Sequence, residues 1–390
     1  MPAVNPRILE WARSTAGLSE EEASRSLGFA TVDRLTALES GVDTPSRATL
    51  LKMSKQYRRS LLTFYLAQPP KKGDRGQDFR TINSDRSPSD DALLDALIRD
   101  ITARQSVVRA TLREDEEQSP LAFIGSTHMQ EGAHATADSI AKTLQFDVES
   151  FRRCSTGEAA FTYLRERAES IGIFVLLVGN LGSHHSAISV KTFRGFTISD
   201  SIAPFIVIND QDAKTAWSFT LLHEIAHLWL GTTGVSGAYA DSAIERFCND
   251  VAGEILLPAS DLVVLARAIP SDVEKTIAAI SEFAGDRNIR RRMVAYKLYR
   301  TGALEVSTWR SLDNRIHEMW VSEKARSKQN QSSDSGPNYY VVRRHRLGKA
   351  LLEFANRNVS AGTLSPVKAA RVLGVKPRSV YPLLDNLSTI

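Results

Sequence analysis

Two polar stretches interrupt the apolar periodicity of this 390-residue chain and limit the ways in which it can fold. Gln68 to Asp90 and Ser322 to Asn338 are rich in Pro, Gly, Ser and charged residues, a composition typical of loops and linkers. A domain usually takes about 100 to 200 residues, so a chain of this length is expected to divide. The sequence predicts domains over residues 1–67, 91–321 and 339–390, joined by linkers over 68–90 and 322–338.

Composition narrows the class of protein. Hydrophobic residues make up 42% and charged residues 24%, the balance of an ordinary soluble globular protein. The sequence contains no apolar run of about 18 residues, and it begins without the pattern of a secretory signal. Cys154 and Cys248 are too few to form a disulfide framework. We therefore expect reduced thiols and a cytoplasmic location.

The N-terminal segment has the periodicity of a small helical bundle. Apolar residues recur every three or four positions between 8 and 16, and Ser19 with Glu22 forms a capping-box pattern that begins a second helix. Gly28 ends that helix, a third is expected from about residue 31 to 40, and Ser46 begins a fourth. This arrangement predicts a helix-turn-helix bundle.

The central segment changes from a helical to a strand period and back. Helices are expected near 90–113, 135–144 and 156–170, strands at 173–178, 187–190 and 205–208, a long apolar helix at 212–230, and further helices over 241–320. The fold class is therefore α+β and mostly helical, with a small sheet packed on helices in the centre and a helical bundle at each end.

The long apolar helix carries two histidines with a glutamate between them. His223 and His227 are four residues apart, so they share one face of the helix and can hold one zinc ion, while Glu224 can serve as a general base. The alternative is a pair of core histidines without a metal. A charged glutamate in an otherwise apolar helix then lacks compensation, which favours the metal site.

A catalytic zinc site needs a third protein ligand, and spacing alone leaves the choice open. Glu245 follows His227 by 18 residues on a second predicted helix, after a segment rich in Gly, Ser and Thr that can reverse the chain. Glu254 is the rival on the same helix, and Cys248 is a further sulfur candidate. Asn249, four residues after Glu245, can orient a ligating histidine by a hydrogen bond.

These motifs resemble the ImmA/IrrE family of zinc metallopeptidases. The segments that carry the resemblance are FRGF at 193–196, PFIVIN at 204–209, TLLHEIAHLWLG at 220–231 and ERFCNDVAGEILLP at 245–258. The resemblance implies a zincin-like peptidase fold, with His223, His227 and Glu245 as zinc ligands and Glu224 as catalytic base. It favours Glu245 over Glu254.

The N-terminal segment resembles the Xre-type helix-turn-helix domain that precedes the peptidase in some members of that family. AGLS at 16–19, ASRSLG at 23–28 and LESG at 38–41 carry this resemblance. The expected third helix offers Arg34 against Asp33 and Glu39, a balance that fits a protein partner as well as DNA.

The C-terminal segment is the basic part of the chain. Lys and Arg outnumber Asp and Glu by 9 to 2 over residues 338–390, against 31 to 36 over residues 67–337. Two predicted helices around Gly374 resemble a second helix-turn-helix, although Pro382 would kink the next helix. The candidates for nucleic-acid contact are Arg343, Arg344, Arg346, Arg371, Lys376 and Arg378. The alternative is a basic bundle that docks on the acidic central domain.

Together these patterns predict a cytoplasmic zinc-dependent endopeptidase without a membrane partner. The resemblance implies a regulatory protein substrate, such as a helix-turn-helix transcriptional repressor, in a stress-response, mobile-element or toxin-antitoxin setting. Manganese can replace zinc in a site of this kind. The alternative is a DNA-binding regulator or antitoxin whose peptidase-like domain is a sensor or scaffold.

Overall fold

The computed structural model describes residues 3–70, 88–114, 119–182, 186–236, 242–270, 272–329 and 338–385. The helices are α1 (Pro6–Ser14), α2 (Glu20–Leu27), α3 (Asp33–Glu39), α4 (Arg47–Gln56), α5 (Pro88–Arg113), α6 (Ala133–Thr143), α7 (Val148–Arg152), α8 (Gly157–Ser170), α9 (Lys214–Trp229), α10 (Ala243–Leu256), α11 (Ala259–Arg267), α12 (Val273–Gly285), α13 (Arg291–Arg300), α14 (Val306–Gln329), α15 (Tyr339–Leu347), α16 (Lys349–Ser360), α17 (Pro366–Leu373) and α18 (Val380–Leu384). The strands are β1 (Phe174–Leu177), β2 (Gly195–Ile198), β3 (Phe205–Ile208) and β4 (Gly234–Ser236). Within those ranges no helix is long and apolar enough to cross a membrane.

The N-terminal segment contains the helices that the sequence predicts. Ser19 caps α2, and Glu22 returns the hydrogen bond to complete the capping box. Gly28 ends α2 in the left-handed conformation, with φ of 77°, which explains why glycine stands there. The apolar faces of α1 to α4 meet in a hydrophobic core of their own, which includes Leu9 and Met53.

The sheet confirms two of the predicted strands and corrects a third. Its order is β1-β3-β2-β4, with β1 parallel to β3 and the remaining pairs antiparallel. The strand predicted at 187–190 is wrong, because Ala187 forms only an isolated bridge with Asn180. The sequence analysis missed β2, which begins with a glycine and has only four residues, and β4, which has three.

The sheet lies between two helical layers, which explains why β1, β2 and β3 are buried along their full length. One face, including Val175 and Ile206, packs in a core with α6, α8, α9 and α10. The other face, including Leu176 and Val207, packs in a second core with α5 and the C-terminal helices. The structure therefore confirms an α+β fold that is mostly helical, with α9 held directly against the sheet.

The C-terminal helices share a core with the central segment. Leu351 on α16 and Leu373 on α17 belong to the same cluster as α5 and the sheet. A buried ion pair on α8 adds polar contacts: the Arg165 guanidinium donates to the carbonyl of His345 at 2.6 Å, and the Glu169 carboxylate accepts from the Lys349 amide at 2.9 Å. The predicted domain boundaries remain a prediction, but one hydrophobic core spans the boundary placed at 322–338.

Candidate metal centre

Two neighbouring helices bring the three predicted ligands together. α9 presents His223 and His227 from one face, as the four-residue spacing requires, and α10 packs against it and presents Glu245. The Nε2 atom of His223 lies 3.2 Å from one Glu245 carboxylate oxygen, and the Nε2 atom of His227 lies 3.1 Å from the other. The two Nε2 atoms are 3.2 Å apart.

The dimensions of this cluster fit a small metal ion. Ligand atoms bound tetrahedrally to zinc at ordinary bond lengths are about 3.3 Å from one another, close to the three separations here. All three side chains are buried. Within the described residues, His223, His227 and Glu245 form the group of His, Cys, Asp or Glu side chains placed to hold a metal ion.

The charge state of the cluster supports the same conclusion. Burial alone would raise the pKa of Glu245, but the hydrogen bonds and positive charges of His223 and His227 outweigh it and lower the pKa to about 2. Glu245 is therefore ionised at neutral pH. Protons on the two Nε2 atoms hold the cluster together here, and a divalent ion would take the place of those protons.

The second nitrogen of each imidazole has a partner that fixes its orientation. Asn249 Oδ1 lies 3.0 Å from His223 Nδ1, as the sequence analysis expected. Thr232 Oγ1 lies 3.0 Å from His227 Nδ1, and its hydroxyl donates to the His227 carbonyl at 3.3 Å, so that it accepts from the ring. Both Nδ1 atoms then carry hydrogen, which leaves both Nε2 atoms for a metal. Thr232 follows the Gly231 turn and was not found from the sequence.

Glu224 is fully buried against the sheet. The Thr197 hydroxyl on β2 lies 2.8 Å from Glu224 Oε2 and 3.1 Å from the Glu224 carbonyl, and donates its one hydrogen between them. A Cβ atom added at Gly195 would stand 2.7 Å from Glu224 Oε1, so glycine makes room for the carboxylate. Neither Thr197 nor Gly195 was recognised as part of the site from the sequence, because β2 was missed.

The rival third ligands lie elsewhere in contact with other groups. Glu254 pairs with Lys297 at 3.2 Å and with His134 at 3.7 Å, and it does not join the histidine cluster. Cys248 is buried in the hydrophobic core beside α9. Of the three alternatives that spacing left open, the structure brings only Glu245 to the two histidines.

A cavity of about 460 Å³ opens beside the cluster. Its lining includes His223, Glu245 and Asn249 at one end and cationic side chains from α13 at the other, while Glu224 is not among the lining residues. A ligand in this cavity thus meets the candidate metal ligands directly. Residues 237–241, which follow β4, lie outside the part of the chain that the structure describes.

Three of the predicted nucleic-acid contacts serve inside the fold. Arg343 donates to the carbonyls of Leu373 and Gly374 at 2.7 and 2.8 Å, and Arg344 donates to the Asp385 carbonyl at 3.1 Å. Arg346 forms an ion pair with Asp210 at 2.6 Å. Their prediction as nucleic-acid contacts was wrong in this respect, because their guanidinium groups bind the chain itself.

The other three candidate cations are exposed. Arg371 lies on α17, while Lys376 and Arg378 follow the turn at Gly374. Pro382 lies within α18, which has only five residues and follows a short 3-10 turn at Pro377–Ser379. The long third helix expected from the sequence is therefore absent from the described residues, as the prediction of a kink at Pro382 anticipated.

A paired-histidine helix, a carboxylate from the next helix and an adjoining cavity define a candidate metal-dependent hydrolase. Comparison with protein families agrees: the family model of the IrrE N-terminal-like domain, Peptidase_M78, matches residues 181–298. This range contains β2 to β4, α9 and α10, and the match supports the ImmA/IrrE relationship and a metallopeptidase-type role. No curated protein and no solved structure gives a significant match to the chain.

Proposed function

We propose that this protein is a zinc-dependent endopeptidase that cleaves a regulatory protein in the cytoplasm. The observation that carries the proposal is the convergence of His223 Nε2, His227 Nε2 and the Glu245 carboxylate, 3.1 to 3.2 Å from one another. A core histidine pair has no need of a third, ionised donor at this separation, nor of a hydrogen-bond partner on each Nδ1. The match to a peptidase family over the same residues supports this proposal.

The residues of the site divide the chemical work. A bound zinc ion would supply Lewis acidity, activating a water molecule and polarising the peptide carbonyl. His223, His227 and Glu245 would hold the ion, and Asn249 and Thr232 keep both imidazoles in the ligating tautomer. The carboxylate of Glu224 takes the proton from the attacking water and returns it to the leaving amine.

The position of Glu224 adds a requirement to this mechanism. Its carboxylate is buried and held by the Thr197 hydroxyl on β2. Because Glu224 does not line the cavity, we infer that substrate binding moves the carboxylate or the neighbouring strand so that the base reaches the water. Hydrogen bonds at catalytic groups often become productive only in the complex with substrate.

The substrate proposed is a helix-turn-helix transcriptional repressor, in a stress-response, mobile-element or toxin-antitoxin setting. This part of the proposal rests on the resemblance to ImmA/IrrE peptidases rather than on a contact in the fold. The N-terminal helical bundle, with its own hydrophobic core, is suited to select such a partner.

A DNA-binding regulator is the second candidate, and one observation favours it. Lys368, Arg371, Lys376 and Arg378 are exposed around the turn at Gly374, where phosphate contacts would fall. Removal of these charges should then reduce the slope of DNA affinity against salt concentration, by roughly one for each phosphate that the protein ceases to neutralise. DNA binding with the same salt slope after substitution of all four would exclude this surface.

Coexpression tests the peptidase proposal directly. The chain is produced with the repressor-like protein encoded beside it, as wild type, as Glu224→Gln and as Glu254→Gln. The last is a matched control, since Glu254 lines the same cavity but pairs with Lys297. We expect a shortened repressor with the wild type and with Glu254→Gln, and an intact one with Glu224→Gln.

Metal analysis accompanies the cleavage assay. About one zinc or manganese ion should be found per chain in the wild type and in Glu224→Gln, measured by plasma mass spectrometry, and none after His227→Ala. Cutting at the wild-type rate by Glu224→Gln would refute the assigned base. Absence of metal together with absence of cutting would favour the regulator or scaffold.

A further inference from the structure

Three arginines gather at one part of the cavity wall. Arg194 precedes β2, Arg290 caps α13, and Arg292 lies in the first turn of α13. All three line the cavity that also contains His223 and Glu245. A substrate that reaches the candidate metal ligands therefore passes within reach of these guanidinium groups.

The neighbouring carboxylates do not balance these charges. Asp212 accepts from Arg194 at 3.1 Å and from Arg290 at 3.4 Å, so that one carboxylate serves two guanidinium groups. Arg292 forms a two-point ion pair with Asp313. Three positive charges thus face two negative ones.

The surroundings make this excess charge costly without a ligand. The side chains of Arg194 and Arg290 are 24% and 19% exposed, and that of Asp212 is 3% exposed. Burial lowers the pKa of Arg290 to about 10, which still leaves it protonated at neutral pH. A guanidinium group has five N–H donors, and the long bond to Asp212 uses one of those of Arg290.

The other cations of the cavity differ because each has its own partner. Lys297 pairs with Glu254 at 3.2 Å and also contacts the Leu257 carbonyl. Arg300 pairs with Asp250 at 3.8 Å and donates to the Tyr296 hydroxyl at 3.0 Å. The unbalanced charge therefore belongs to the three arginines and not to the basic wall as a whole.

We propose that Arg194, Arg290 and Arg292 form a subsite that binds a carboxylate of the substrate peptide. This inference rests on the proposed peptidase function and assigns a preference to it. The carboxylate belongs either to an Asp or Glu side chain near the scissile bond or to the C-terminus of the peptide. Arginine suits both, since its planar fork binds a carboxylate at two points.

Binding of synthetic peptides separates these sources. Three acetylated hexapeptides share one neutral framework: one has a central Asp and an amidated end, one has Asn and an amidated end, and one has Asn and a free C-terminal carboxylate. Affinities are measured by calorimetry at low salt on the zinc-loaded full chain carrying Glu224→Gln. Hydrolysis is not needed for the measurement, so a failure of the proposed activity is detected separately in the coexpression assay.

We expect at least one of the two acidic peptides to bind about tenfold more tightly than the neutral peptide. Arg290→Gln should remove that preference, and Arg194→Gln provides a second variant if the first does not fold, as judged by circular dichroism. Arg300→Gln, the matched control with a paired arginine, should keep it. Preference for the Asp peptide identifies a side-chain subsite, and preference for the free carboxylate identifies recognition of a chain end.

Three results would overturn the proposal. One is equal affinity of the parent chain for the acidic and neutral peptides. Another is an equal loss of preference in Arg300→Gln and Arg290→Gln. The third is no measurable binding of either acidic peptide at millimolar concentration.

Discussion

The Thr197 hydroxyl offers a direct test of how the fold positions Glu224. Thr197 lies on β2, and its hydroxyl is 2.8 Å from the Glu224 carboxylate in a fully buried environment. Thr197→Val replaces the hydroxyl by a methyl group of similar size. The change therefore removes the donor while leaving the volume of the side chain nearly the same.

The expected loss follows from this contact. A hydrogen bond to a charged, buried acceptor contributes roughly 1.5–3 kcal/mol, so Thr197→Val should lower the free energy of unfolding by about 2 kcal/mol. The freed carboxylate should also leave its productive position, and peptide hydrolysis should fall by about 10- to 100-fold. Zinc content should not change, because Thr197 does not contact His223, His227 or Glu245.

Thr197→Ser is the matched control. It keeps the hydroxyl and loses one methyl group, which costs about 1 kcal/mol in stability and should leave hydrolysis within about threefold of wild type. Thermal melts, zinc content and hydrolysis of the cleaved repressor segment are compared for all three proteins. Wild-type stability and wild-type hydrolysis in Thr197→Val would refute the positioning role.

Four further changes probe the site and the packing around it. Glu224→Gln should keep zinc and reduce hydrolysis by about 10² to 10⁴, a loss that kinetics would contradict if it were below tenfold. Asn249→Ala should weaken zinc binding by about 10- to 100-fold in competition with a chromophoric chelator, and unchanged affinity would show that the Nδ1 contact does not matter. A strong chelator should lower the melting temperature and added zinc restore it, since ligation at 100 times the dissociation constant stabilises by about 2.7 kcal/mol; a melt insensitive to metal would argue against a buried site. Gly348→Ala should loosen the C-terminal helices and speed proteolysis of residues 338–385, because Gly348 has φ of 80° and an added Cβ would collide with the Glu169 carboxylate; wild-type resistance would exclude this docking contact.

The helices were predictable where local chemistry sets them. Ser19 with Glu22 and Gly28 begin and end α2 by contacts within a few residues, so the sequence contains the information needed. The strands were harder to predict. β2 is buried between β3 and β4, and its residues become a strand because of those partners rather than by their own pattern.

The same distinction applies to the charged residues. The basic composition of residues 338–390 is a property of the sequence, but whether an arginine is available to a partner depends on what packs beside it. Arg343 and Arg344 bind backbone carbonyls at helix ends of their own segment, and Arg346 pairs with Asp210, which comes from a distant part of the chain. No pattern within the C-terminal segment predicts these partners.

The sequence by itself determined the pair of ligands that share a helix. His223 and His227 lie on one face because residues four apart in an α-helix do so in any fold. The tertiary structure decided the rest of the centre, because those contacts join separate elements. Packing of α10 on α9 chose Glu245 over Glu254, Thr232 fixed the second imidazole, and β2 placed Thr197 and Gly195 against Glu224.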